Sequence, residues 1–429
     1  RFRISADGSL STPTAGTSNV RFGVNAGNSI LDGGNYNVCV GDEAGTTLST
    51  GDDSVLIGYA AGDAISTGTQ NVAIGSNALG TGVTATNNVA VGRASMAATL
   101  GSENTAVGVN TLAANQGGSH SVAIGSAALT AQNPSSGNVD FHNVAVGSQA
   151  GKAINTGIQN VLIGGLAGDA LTTGSSNVAV GYAALTSDDV GQHNVAIGRE
   201  ALSNQNISTA ANTYNTAVGS AAGQTLSTGQ YNTLIGGLCA DSMQTNDEMT
   251  AVGYNLAATS QTGRAREIVI GSNGTGGGSN TARFITSGGS ATLNIDGSDT
   301  SWAAASDSRL KKEVANSTVG LEFIKDLRPV TFKWNAKNAI ADSLPQYDAD
   351  SSDPVYGEGK AHHGFIAQEV KTVIDAHSDV VNGHNIWVED PNGTQQVAPS
   401  ALVPMLVKAI QEQNALIEAL TVRVTELEG

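Results

Sequence analysis

The stretch Ser306-Asp307-Ser308-Arg309-Leu310-Lys311 sets a hydroxyl and an amine five residues apart. A serine hydroxyl is a poor nucleophile until a base takes its proton, and a lysine serves as that base only where burial favours its neutral form. The spacing alone is unspecific, because a serine five residues before a lysine is common by chance. On one regular helix five residues turn through about 140°, so Ser306 and Lys311 cannot sit side by side there. Either Ser306 lies in a bend ahead of a helix that carries Lys311 and is capped by Asp307, or the pair meets between subunits. Within one chain, Ser306 reaches the preceding carbonyl through a five-membered ring and its own only through a strained four-membered one. That points to the Ala305–Ser306 bond. The bland reading makes Ser306 a turn residue and Lys311 a solvated cation.

Little else offers chemistry. Asp52, Asp53, Asp63, Asp169, Asp188 and Asp189 lie in turn-like stretches, where aspartate is expected for backbone reasons. No His/Cys/Asp set has metal-ligand spacing; His120, His142 and His193 read as isolated loop residues. His362 and His363 lack the further ligands a metal would need and read as packing residues or as donors of a catalytic hydrogen bond. No metal and no cofactor is expected. Tyr59, Tyr182 and Tyr254 each follow a repeat glycine and could stack on sugar rings, though packing against a neighbouring coil is the plainer reading.

The junction divides two compositions. Residues 1–299 carry 28 Lys, Arg, Asp and Glu in all, against 29 in residues 300–429. The net charge of −17 argues against nucleic acid and anionic membrane surfaces, which require clustered Lys and Arg. No run of eighteen apolar residues is present, so no membrane insertion is expected. The chain opens on Arg1 without a signal peptide, which reads as a fragment or trimmed product. Cys39 and Cys239 lie in distant repeats and read as two buried thiols.

From Asn19 a phrase recurs: Asn, a β-branched residue, a small or aliphatic one, Val or Ile, then Gly, as in Asn71-Val-Ala-Ile-Gly75 and Asn160-Val-Leu-Ile-Gly164. The closing glycines run from Gly23 to Gly271, mostly 17 residues apart, with spacings of 22 and 21 ending at Gly147 and Gly219. Fifteen such units predict a solenoid of one coil per unit, on the order of 70 Å long at the strand spacing of ~4.8 Å. The two long units predict loops at 133–142 and 204–214 that bulge from the side. A second apolar patch follows each glycine, as in Ala78-Leu79. A lone coil cannot bury its apolar face, so the stack is the cooperative unit.

The Asn-x-Val-Ala-Ile-Gly phrase resembles the head repeats of trimeric autotransporter adhesins, which implies a trimeric parallel β-roll. Downstream, four motifs stand in order: Ser306 to Lys311, Leu327-Arg-Pro-Val-Thr-Phe-Lys-Trp334, His363-Gly-Phe-Ile-Ala-Gln-Glu-Val370, and Leu402-Val-Pro-Met-Leu-Val-Lys-Ala-Ile410. Together these resemble the C-terminal intramolecular chaperone of endosialidase-type phage tail spikes and fibres. In that family the domain assembles three chains and cuts itself off with a Ser–Lys dyad, which the resemblance places at Ser306 and Lys311. The last helix carries heptads, with Val403, Ile410, Ile417 and Val424 at a and Leu406, Gln413, Leu420 and Leu427 at d. Leu at d with β-branched a nominally favours two strands; the resemblance implies three.

The expected fold is mostly β. It comprises an N-terminal strand and turn (1–18), a parallel β-solenoid (19–271), a glycine-rich hinge with short strands at Ala282–Thr286 and Ala291–Ile295 (272–300), and a small α+β chaperone (301–429) with a coiled coil at 402–428. The expected function is a phage tail fibre or spike shaft, a homotrimer that adheres to a host surface glycan or protein. Other virion tail proteins are further partners, assembly is in the host cytoplasm, and serine-type self-cleavage is the sole activity. A bacterial trimeric adhesin, or a glycan-degrading tailspike with an intersubunit site, is the alternative.

Overall fold

The computed structural model describes residues 3–4, 10–11, 15–134, 137–209, 211–264, 266–286, 289–295, 303–304, 308, 311–342, 344, 346–356, 359–380, 386–390 and 393–429. Two compact units result, Arg1–Ala305 and Ser306–Gly429.

The first unit is a parallel β-solenoid of about fifteen turns, running from the strand Val20–Phe22 to the strand Ile268–Thr275. Most of its strands are only three residues long, and each pairs in register with its equivalents in the coils before and after. Val72 faces Val89, Ala73 faces Ala90 and Ile74 faces Val91. Alternation along a strand puts the first and third side chains on one face, and that face is the outer one. The middle residue points inward: Leu56, Ala73, Ala90 and Leu162 are fully buried. Two further columns complete the core. One is the alanine three residues past the closing glycine, and the other is a larger side chain such as Leu79, Ile65 or Leu171. Where the strand residue is Leu it lies on a glycine of the preceding coil. A Cβ at Gly45, Gly151 or Gly223 would stand 2.7–2.8 Å from Leu56, Leu162 or Leu234.

Buried asparagines tie coil to coil. The Asn160 amide Nδ2 donates to the Gly174 carbonyl 2.9 Å away, fourteen residues along the same coil. Its Oδ1 accepts the Asn177 backbone N–H at 3.0 Å, in the next coil. Asn37, Asn88, Asn143, Asn177 and Asn215 repeat the arrangement. Both groups that these side chains satisfy are backbone groups buried away from water, which would otherwise be orphaned. The closing glycines are equally specified. Gly75 has φ +131°, and a Cβ there would stand 2.6 Å from the Gly92 carbonyl oxygen, so no side chain fits.

The two long units adapt the ladder. Ser121 stands where an asparagine would, and the buried Gln132 bridges it to Asn143, donating to Ser121 Oγ at 3.0 Å and accepting from Asn143 Nδ2 at 2.9 Å. Gln205 does likewise between Asp188 and Asn215. The first long loop is not wholly a bulge. Val139–Asp140 pairs parallel to Gly118–Ser119, and Phe141 is fully buried. An apolar ring of that size gains more against the core than in water.

The short strands expected in the glycine-rich segment are present, and they continue the sheet. Thr281–Thr286 pairs parallel to Ile268–Thr275, Gly289–Asn294 returns antiparallel, and Ala303–Ala304 pairs antiparallel with that strand. The glycine run is used by Glu267, a buried residue at the end of the asparagine column. Its carboxylate accepts the Gly278 and Thr259 N–H groups at 2.7 and 3.2 Å, and a Cβ at Gly276 would stand 2.4 Å from it.

The second unit holds helices α1 (Leu321–Asp326), α2 (Ala367–Ala376) and α3 (Val403–Glu428). Two small antiparallel pairs accompany them, Val330–Phe332 with His362–Gly364 and Trp387–Glu389 with Gln395–Val397. Their shared core includes Val319, Phe323, Val370, Ile374, Ile386 and Met405. α3 docks through Met405 and Ala409, and its Glu412 carboxylate accepts the Leu321 N–H that opens α1 at 2.7 Å. That bond, with Lys408 beside it, holds the Glu412 carboxyl below its ordinary value.

Candidate functional site

Ala305 and Ser306, the expected cleavage pair, lie outside the described residues, as does Asp307. Lys311 is described and exposed. Its backbone N–H donates to the Ser308 carbonyl at 3.2 Å. The stretch where a helix is expected to begin lies outside the described residues apart from Ser308, which sits in a 3₁₀ turn closed by that bond; residues 311–319 are not helical, and Glu313 takes a left-handed φ of 55°. The Ala305–Ser306 bond follows directly on Ala303–Ala304, the last strand bonded to the solenoid's sheet among the described residues.

Beyond the junction, two of the sequence motifs meet. The Arg328 guanidinium, just before Pro329, grips the Glu369 carboxylate through Nε at 2.9 Å and through Nη2 as well. This two-pronged geometry suits a planar fork, and Arg328 holds the Glu369 carboxyl below its ordinary value. His377 Nε2 lies 2.9 Å from Asp326 Oδ2, with its ring edge-on to Phe323. Between the two small sheets is a cleft of about 800 Å³ whose walls include Phe332, Trp334, Tyr356, His363, Phe365 and Gln396. His363 thus faces a cleft, and His362 packs among Phe332 and Trp334.

On the solenoid, Tyr59, Tyr182 and Tyr254 are all more than half exposed. A Cβ at Gly165 would stand 3.6 Å from the Tyr182 ring, and Gly237 stands likewise to Tyr254, so these two rings each lie over a glycine of the coil before; the equivalent residue before Tyr59 is Asp42. Cys39 and Cys239 are free, buried thiols, with burial pushing each up to about 11. Asp188, expected as a plain turn residue, is fully buried, and burial raises its carboxyl above the ordinary value.

The reading of His120 and His142 as isolated is corrected by the fold. Together with Asp140 they offer three ligand atoms all within 4.8 Å of one another, and Glu103 lies against the other side of the His120 ring. Spacing alone hides this, because the partners come from three successive coils. One signal was available: each histidine immediately precedes the residue that leads into a strand, Ser121 or Asn143, and so holds the same place in its coil.

No curated protein and no solved structure matches the chain. Residues 306–379 match the family model described as chaperone of endosialidase. The match begins at Ser306, where the second compact unit begins, and it takes in both Arg328 and Glu369. The C-terminal unit carries a chaperone-of-endosialidase domain.

Proposed function

We propose that this chain is the shaft of a phage tail fibre or spike that adheres to a host surface glycan or protein. Its C-terminal chaperone brings three copies together and then releases itself by cutting the Ala305–Ser306 bond. The observation that carries the reading is the chaperone-of-endosialidase match directly after a solenoid of about fifteen turns. Two unpartnered apolar faces support self-association. The heptad residues of α3 are exposed, from 43 % at Leu406 to 85 % at Leu427, while Met405 and Ala409 face the domain's own core. Outward-facing strand residues such as Ile57, Ile74, Ile163 and Ile235 make a continuous apolar stripe along the solenoid, each at least 36 % exposed. Burying such stripes between copies is favourable by roughly 25 cal/mol per Å².

The cut follows ordinary acyl chemistry. Lys311 takes the Ser306 hydroxyl proton as Oγ adds to the Ala305 carbonyl carbon. The Ala305–Ser306 C–N bond then breaks with a proton passing to the departing amine, and water hydrolyses the resulting ester to free the Ala305 carboxylate. A lysine acts as such a base only when desolvated, and a single chain leaves Lys311 exposed. The burying surface is therefore another copy, which ties cutting to assembly.

The test is the intact denatured mass of fresh protein beside Ser306→Ala. Wild type is expected as pieces of 305 and 124 residues (429 − 305), with the variant whole and trimeric by light scattering. Full-length mass in both would refute the self-cutting chaperone, and a cut one residue later would refute the ring-size argument while keeping the dyad.

A further inference from the structure

We infer that His120, Asp140 and His142 form a binding site for a first-row divalent metal ion of the zinc type on the side of the solenoid. In each coil the residue before the strand-entry position takes a left-handed conformation, as at Gln70, Glu103, His120, His142 and Gln159. Stacking these residues makes an outward column with one side chain per coil. Glu103, His120 and His142 are successive rungs of it, and the two imidazole rings stand 5.1 Å apart. The 22-residue unit supplies the fourth group. Its insertion pairs Asp140 with Ser119, which puts the Asp140 carboxylate beside the His120 ring.

The His120 ring is held between two carboxylates. Its Nε2 is 2.9 Å from Glu103 Oε2, and its Nδ1 is 3.0 Å from Asp140 Oδ1. A neutral imidazole has one proton and so can donate to only one of them. With the proton on Nε2 shared with Glu103, the Nδ1 lone pair points at an Asp140 oxygen. That contact is repulsive unless a second proton or a cation stands between the two. His142 closes the set, and all three ligand atoms lie within 4.8 Å of one another. Two nitrogens and one oxygen with an open fourth position suit zinc-type ions. The Glu103 contact is the outer carboxylate that commonly fixes the tautomer of a ligating histidine. The His120 side chain is 37 % exposed, so an ion has a path in.

The experiment is zinc titration by calorimetry on the full, tag-free chain after chelator treatment and dialysis, with cobalt absorption as a second readout. His142→Gln is the test variant, since the fold already accepts glutamine in this column at Gln70 and Gln159. His193→Gln is the control, in the same column but stacked on Tyr214 at 5.0 Å. The expected result is one zinc per chain with a four-coordinate cobalt spectrum. His142→Gln should weaken binding by at least about tenfold, and His193→Gln should leave it unchanged. No zinc uptake by wild type would overturn the site. So would equal binding by wild type and His142→Gln, or equal losses in both variants.

Discussion

Replacing Asn160 by alanine tests whether the asparagine column holds the solenoid together. The side chain serves two buried backbone groups, the Gly174 carbonyl in its own coil and the Asn177 N–H in the next. Alanine strands both, at about 1–3 kcal/mol for each orphaned group, so roughly 2–6 kcal/mol in all. Serine should cost about half as much. At Ser54 the hydroxyl already accepts the N–H of Asn71 in the following coil, at 3.3 Å. It cannot also span the coil to the position equivalent to Gly174, so one orphan remains. Stability in a stacked array is a sum of local and nearest-neighbour contributions, so the loss should be confined to the neighbouring coils. Native-state hydrogen exchange reads that directly. Amides of residues 144–180 should exchange roughly 30-fold to 10⁴-fold faster in Asn160→Ala, at 1.4 kcal/mol per decade, and markedly less in Asn160→Ser. Amides of residues 38–75 should be unchanged. Equal effects of the two variants, or equal acceleration at both ends, would refute the reasoning.

Two further outcomes follow from burial. The Cys39 and Cys239 thiols, each pushed up to about 11, should resist a disulfide reagent at pH 7.5 in the native chain, and two should react once it is unfolded; rapid native labelling would refute their burial. Asp188 has its carboxyl raised by burial, so it binds a proton more tightly folded than unfolded. Its contribution to stability is full at acid pH and is lost as pH rises through the raised value. The Tm of wild type minus that of Asp188→Asn should therefore fall between pH 4 and pH 7, and a rise would contradict it.

The solenoid is plain in the sequence because the same few places are constrained in nearly every coil. A side chain at Gly75 would strike the next coil's carbonyl, and a missing Asn160 would strand two backbone groups, so these letters recur at nearly every turn. Which strand face is inward is not fixed by alternation. It depends on the narrow interior, which admits Leu56 only because Gly45 lies beneath it. The roles of Gln132 and Gln205 escape notice because each acts at the one coil where the period breaks. The metal-type cluster is hidden for a related reason: residues 103, 120, 140 and 142 become neighbours only when coils are stacked. Past Lys311 a left-handed Glu313 stops any helical continuation, which no residue spacing announces.

The in-register stack makes solenoid length a heritable variable in steps of one coil. Each coil offers the next the same bonding edge that it accepts from the one before, so loss of a whole 17-residue unit rejoins matched surfaces. Excising residues 76–92 would bring Ala73 over Ser95 and Met96, the same kind of interior as its present Ala78 and Leu79, and would leave Leu56 resting on Gly45. Excising residues 165–181 would set Leu162 against Leu185 in place of Gly168, two large side chains where one fits. Recombination between repeats is therefore filtered by core volume. The solenoid can lengthen or shorten by about 4.8 Å per coil while the columns on its outer face keep their order.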